Sequence, residues 1–413
     1  MAIITAMEEL REDLDLSEDD IENIEANIAD ISDEIVVANE QIDNQMNSLR
    51  IAVEAYDDFS NKRISFDQMR YSVFAAESAL NGGIGDNSLV FANEAVLLDR
   101  MTSAISNLMA AIKVSLSKVM DYFQYAFSWF SVQRGKINSL KSQLSQSSGD
   151  RAEISIGVNK YMRYGENQSV VRNMNEYNSA YREMCSIMAP FNSAIAELAE
   201  DDLFSSMKLV KEGLLGDPEK WFKDRFYSIE GHLQKAISGV SGHVSKRDRK
   251  YTEYQSPVLL GLSAVVVRMP EKSQYRSGEY EDMYGVHRYF YAYVDRKVKV
   301  KFSTILDGSI DLEVRKGDLI KNLDESLKLV EGALKLASMA ARWSNVGSAY
   351  DGSAWIMSKR KQEEGFNSDF FETMMFYRRI CAMIYDSVSS AYNFSMGNIK
   401  QMNRIADKVV AKL

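Results

Sequence analysis

Five residues at a strict seven-residue spacing, Ile21, Ile28, Ile35, Ile42 and Leu49, constrain this chain more than any other feature. Ile24, Ile31 and Ala38 interleave at an offset of three, so the apolar positions form an a/d seam. A seam of that period suits a helix that packs along one narrow stripe. Ser17 is placed to cap it, and Glu18, Asp19 and Asp20 favour the positive end of the helix dipole. Ile at both a and d leans toward more than two strands if the partners are identical chains. The flanking positions argue against that. They hold Glu25, Ser32, Asn39 and Met46 on one side and Asn27, Glu34, Gln41 and Ser48 on the other, with no base to meet the acids of a second copy. Docking on the rest of the same chain is the first expectation, and an intermolecular coiled coil the second.

The same segment concentrates negative charge. Residues 1–60 contain eighteen Asp and Glu against Arg11 and Arg50, a balance of −16, so the other 353 residues carry +6 of the total −10. An acidic arm on a mildly basic body is commonly solvated or detachable, and such an arm can mask a basic surface. Only 4 prolines in 413 residues leaves room for long helices. The opening residues run straight into acids without the basic and apolar regions of a secretory signal. Cys185 and Cys381 stand far apart in helical patterns, which predicts reduced thiols rather than a disulfide framework. The most apolar stretch, residues 104–132, is interrupted by Lys113, Lys118 and Asp121 and falls short of the roughly 20 apolar residues of a membrane span. No stable membrane span is expected.

The patterning predicts a mainly α protein, an elongated multi-helix bundle with a small antiparallel β insertion at about 256–314. After the arm (1–60) comes a helical body (61–255). One helix is expected over Phe66 to Leu80, ending at the turn signal Asn81-Gly82-Gly83-Ile84-Gly85. A long one then runs to about Ser145, with Leu98, Met101, Ile105, Leu108, Ile112, Val119, Phe123, Phe127 and Phe130 on its buried stripe. Tyr122 to Phe130 puts aromatics all round that helix, which suits a central or interface position. Ile154, Ile156 and Val158 alternate like a short strand. Gly231, Gly239 and Gly242 mark a boundary before the β insertion (256–316). Within it, Val258–Val267, Tyr289–Val294 and Val298–Phe302 read as strands, and Asp307-Gly308 as the turn of a hairpin ending at Val314. Residues 317–413 return to helix and end in a helical pair.

Chemistry-bearing patterns are sparse. His232, His243 and His287 share no ligand spacing with each other or with the cysteines. No phosphate loop, dinucleotide fingerprint or nucleophile elbow is present. No metal, cofactor or catalytic residue is expected, and the chain reads as a structural protein rather than an enzyme. Asp307, Asp311 and Glu313 lack EF-hand spacing and read as a solvated strand face. One candidate patch stands out: Lys246, Arg247, Arg249 and Lys250 with Tyr251 and Tyr254, followed by Lys297, Lys299 and Lys301. Such a patch can hold a phosphate backbone without sequence preference. A solvated face balanced by Glu253, Glu271, Glu279, Glu281 and Asp282 is the alternative.

Four features together resemble the internal head (prohead core) proteins of large tailed bacteriophages of the T4-like and phiKZ-like groups. They are the acidic N-terminal region up to about Glu77, the apolar helix Ala111-Ile112-Lys113 to Leu140-Lys141 with its Trp129-Phe130 step, the segment Ile154 to Tyr161, and the helical C-terminus with Tyr385-Asp386-Ser387-Val388-Ser389-Ser390-Ala391-Tyr392. The resemblance implies a place inside the capsid among other capsid or core proteins, non-specific contact with packaged DNA, and removal of an acidic propeptide by the prohead protease. That protease cuts after glutamate in a small-or-apolar, any, Glu pattern. Glu34, Glu40, Glu54 and Glu77 fit it. The competing class is an α-helical pore-forming toxin subunit, whose concealed apolar element would have to be Tyr122 to Phe130.

Overall fold

The computed structural model describes residues 18–80, 94–199, 218–239, 243–247, 250–271, 290–295, 308–337 and 368–413. Three helices carry the architecture: α1 (Glu18–Ser60), α3 (Glu94–Gln146) and the last helix, α7 (Ser368–Val410). At about 1.5 Å per residue, α3 alone is about 80 Å long. Gln133 meets Asn403 at 2.8 Å, and Lys136 meets Asp407 at 3.0 Å, so α3 and α7 run parallel. Aromatic rings fill the space between them. Tyr122 packs 5.4 Å from Tyr385, and Phe130 packs 5.0 Å from Tyr392. Tyr122, Phe123, Trp129 and Phe130 are fully buried, whereas Tyr125 is turned outward. The aromatic stretch is thus core on most of its circumference.

α2 (Phe66–Leu80) folds back on α1 as an αα-hairpin. Its start is a capping box: Ser65 and Gln68 exchange hydrogen bonds, with Ser65 N donating to Gln68 Oε1 at 2.8 Å. Phe59 and Phe66 close the bend edge-to-face at 5.6 Å. Beyond α3, the strand β1 (Arg151–Gly157) alternates exposed and buried residues, as the Ile154 and Ile156 pattern predicts. A 3₁₀ turn (Lys160–Met162) and the two-residue strands β2 (Arg163–Tyr164) and β3 (Ser169–Val170) lead into α4 (Met174–Leu198). α5 (Pro218–Gly239) runs helically through Gly231 to Gly239, so the boundary expected there begins later.

A four-stranded antiparallel sheet follows, in the order β4 (His243–Arg247), β5 (Tyr251–Gln255), β6 (Ala264–Pro270), β7 (Tyr291–Asp295). It starts ahead of Ser256, because the charged residues of β4 conceal the strand in a hydropathy reading. Val258 to Ser263 is a turn rather than strand, with Gly261 and Leu262 at positive φ. α7 seals the β7 edge: the Ser387 hydroxyl donates to Ala292 O, and Val294 N donates to Ser390 Oγ at 3.0 Å. The final strand, β8 (Ser309–Arg315), pairs antiparallel with β1, Ile154 opposite Leu312. The expected hairpin partner at residues 302–306 lies outside the described residues, as do the turn at residues 81–88 and the Gly/Ser-rich break near 350. α6 (Lys316–Ala337) continues directly from β8. The expected C-terminal helical pair lies partly outside the described residues; residues 368–410 form one uninterrupted helix.

Gly397 lets α7 pass close to Tyr161. An added methyl group would overlap the Tyr161 ring and hydroxyl, and a methyl on Gly261 would stand 3.1 Å from the same ring. Tyr161 is therefore a wedge between the β5–β6 turn and α7. Gly397→Ala is expected to lower stability by about 1–3 kcal/mol through overpacking, despite the better helix propensity of alanine. In a Tyr161→Ala background the same change should become neutral or stabilising, by up to about 1 kcal/mol. Urea midpoints of the four proteins test this sign reversal; equal losses in both backgrounds would refute the wedge.

We expect the buried phenols and thiols to limit the stability of the fold at alkaline pH. Burial raises the pKa of Tyr122, Tyr181 and Tyr392 well above the ordinary phenol value, and pushes the Cys381 thiol up to about 12. Above the ordinary values the folded chain keeps protons that the unfolded chain loses, so the stability from these groups is intact at lower pH and falls as pH rises. We expect the free energy of unfolding to drop from about pH 9–10 upward. Phenolate absorbance should then show a cooperative step coincident with loss of far-ultraviolet ellipticity. Gradual titration of all the tyrosines with the helices intact would contradict this.

Candidate functional site

Seating of the acidic arm is the most specific arrangement in the molecule. α1 lies antiparallel to α3 and α7, in the groove between them. The a positions Ile28, Ile35, Ile42 and Leu49 are at most 2% exposed, so the heptad seam is spent within the chain, as the flanking residues predict. The flank Glu25, Ser32, Asn39, Met46 supplies the polar register. Glu25 accepts from Trp129 Nε1 at 2.8 Å and from Lys400. Tyr385 donates to Ser32 Oγ at 3.3 Å. Asn39 Oδ1 accepts from Ser115 Oγ at 3.0 Å and from the buried Arg378. Met46 is buried. On the other flank, Glu34 binds Lys118 at 2.8 Å. Three cations of the body, Lys118, Arg378 and Lys400, thus hold the arm along about 21 Å of helix. The seven-residue spacing of Glu25, Ser32 and Asn39 is the sequence signal for this seat. Nothing local marks their partners, which lie on two helices far along the chain.

The four glutamates of the cleavage pattern are all helical. Glu34, Glu40 and Glu54 project from α1 into solvent, with Glu54 3.6 Å from Arg50. Glu77 belongs to the last turn of α2, which ends at Leu80.

The predicted basic patch is partly brought together. Lys246, Arg247 and Lys250 are exposed on β4 and the turn after it. Arg249, Lys297, Lys299 and Lys301 lie outside the described residues. Behind them, one face of the sheet carries Lys246, Glu253, Arg268 and Tyr291 in a single cross-strand row. The Tyr251 ring centroid is 5.3 Å from the Lys246 ammonium and 4.4 Å from the Arg268 guanidinium, which is also 5.4 Å from the Tyr291 ring. Glu253 holds Arg268 at 2.8 Å and is itself buried, and Glu271 accepts from Thr252. Part of the positive charge is therefore neutralised within the sheet, while its edge keeps exposed bases. Sequence reading missed Arg268 and Tyr291, because their meeting depends on register across three strands.

Several ionisable groups elsewhere among the described residues are held by structural partners. Glu313 of β8 forms a cross-strand ion pair with Arg151 at 2.7 Å, and Asp311 stands on the same exposed face. His232 Nδ1 is 3.8 Å from Glu197 Oε2, and Lys235 binds the same carboxylate at 2.6 Å. Cys185 and Cys381 are buried, with the thiol pKa of both raised by desolvation, which disfavours the reactive thiolate. Among the described residues, no group of His, Cys, Asp and Glu is placed to hold a metal ion. Among them too, no helix is long and apolar enough to cross a membrane.

These features define a mainly helical protein with an acidic N-terminal hairpin seated by side-chain contacts. The family model for phiKZ-like phage internal head proteins matches residues 3–413, and the chain belongs to that family. It is a virion protein of the capsid interior. No curated protein and no solved structure matches it.

Proposed function

We propose that the chain is a non-enzymatic packing component of the phage head, and that its acidic arm is a removable cover cut by the prohead protease. The observation that supports this most directly is how the arm is held. A hairpin whose residues 18–80 hold fifteen acids against four bases lies on α3 and α7 through an apolar seam and a short row of polar contacts. Residues 1–77 contain twenty acids against five Lys and Arg, so the remainder carries +5. A basic remainder, with Lys246, Arg247 and Lys250 exposed on one sheet edge, suits non-specific contact with packaged DNA and delivery along with it.

Helix geometry ranks the four candidate cuts. A protease needs extended backbone, and helix ends open at far lower cost than helix interiors. Glu34 and Glu40 lie mid-helix beside the arm's polar contacts, and Glu54 lies more than a turn from Ser60. Glu77 stands three residues from the end of α2. Cutting there also removes α2 together with α1, the helix that covers it, and leaves no stranded half-hairpin. Mass spectrometry of the chain from mature heads is the test. The expected N-terminus is Ser78; an intact chain in mature heads refutes processing, and a start after Glu34, Glu40 or Glu54 refutes the ranking.

A further inference from the structure

We propose that the groove between α3 and α7 also receives the acidic arm of a second copy of this chain, so that molecules inside the immature head, while they carry their arms, are joined by exchanged arms. The proposal rests on the head location and on the seating of α1, and is independent of processing. Among the described residues, the contacts that seat the arm on α3 and α7 include the heptad seam, Glu25 with Trp129 and Lys400, Glu34 with Lys118, and Asn39 with Ser115 and Arg378, all made by side chains. None of them depends on which chain supplies the arm. The covalent tie is residues 81–93, whose sequence includes Gly82, Gly83 and Gly85. Fully extended, such a tie reaches about 45 Å.

Two observations make the hairpin a unit that can move between copies. Its own bend is closed by the Ser65–Gln68 capping box, the Phe59–Phe66 contact and the Arg63–Asp58 ion pair at 3.3 Å, all internal to it. Its charge is opposite to that of the body, so an arm is attracted to a neighbour's groove as it is to its own. The chemistry of the groove selects the occupant. Its floor faces Ile28, Ile35, Ile42 and Leu49, so a nucleic acid lying there would leave apolar surface unmatched. An acidic helix with an isoleucine every seven residues fits, and each copy carries one. Confinement in a closed shell raises the concentration of other arms that compete with a chain's own. Exchange of an identical element re-forms the same contacts, so it costs little.

The test uses full-length chains with thiols at the exposed Glu34–Lys118 pair; the native thiols are buried. A Glu34→Cys/Lys118→Cys chain should be bridged internally by a bismaleimide. Glu34→Cys chains mixed at high concentration with size-tagged Lys118→Cys chains should give a mixed adduct. Its yield should be about tenfold above that with Lys328→Cys, an exposed site on α6. Adding Ile35→Asp to the Glu34→Cys chain should abolish it. The proposal is overturned if the mixed yield does not exceed the Lys328→Cys control, if the double variant does not bridge internally, or if the adduct survives Ile35→Asp. The N-terminus found in mature heads does not bear on this result, so the two readings fail separately.

Discussion

Trp129→Ala should cost about 3–5 kcal/mol of stability, the usual range for deleting a fully buried large aromatic. The indole has no exposed surface, packs edge-to-face on Phe130 at 4.9 Å, and donates its Nε1–H to Glu25. Its removal therefore leaves a cavity where α3 meets α1 and takes one of two donors from a carboxylate in the arm. Trp129→Phe separates the two effects. The ring mostly survives, Lys400 still serves Glu25, and the loss should be about 1–3 kcal/mol. Tyr125→Ala, on the outward side of the same helix, should change stability by no more than about 0.5 kcal/mol. Urea denaturation followed by circular dichroism gives all three. Equal midpoints for Trp129→Ala and Tyr125→Ala would show that the aromatic stretch is not core.

Trp129 also shows what could be read without coordinates. The local periodicities were legible because helix burial repeats within a few residues: the seam of α1, the stripe of α3 and the alternation of β1 need no knowledge of the partner. Pairings across long separations were not. β1 meets β8 about 150 residues later, and no signal in Ile154 or Leu312 names the other. Lys246 and Arg247 fell ahead of the expected β region because an exposed strand at a sheet edge lacks the apolar face that betrays a strand. Gly397 and the serines of α7 lower the apparent helical character of residues 385–400. Their role is steric and polar instead, admitting Tyr161 and closing the β7 edge. In the candidate site, the arm's half of each contact was spaced by seven and could be seen. The half on Ser115, Lys118, Arg378, Tyr385 and Lys400 could not, because those residues share a surface only after α3 and α7 have packed.

Ile35→Asp is the sharpest test of whether the arm is a cover or part of the core. Ile35 sits at the centre of the seam with no exposed surface, and an unpaired carboxylate there costs several kcal/mol in the seated state. The chain can avoid that cost by unseating the hairpin, which puts the carboxylate in water at the expense of the other seam contacts. Hydrogen exchange should then quicken across α1 and α2, while α4, α6 and the C-terminal part of α7 keep their protection. Val37→Asp, two residues on and 54% exposed, should leave the exchange pattern of the parent chain intact. Two results would count against a separable cover. Loss of protection throughout α4 and α6 would mean that the body cannot stand without its arm. Unchanged exchange in α1 would mean that the seam does not carry the docking. The expected middle outcome follows from how the contacts are distributed: the Tyr122, Phe130 and Tyr392 cluster, the Tyr392 hydroxyl on Ala333 O at 2.7 Å and the Asn403–Gln133 bond bind α3, α6 and α7 to one another without any residue of α1.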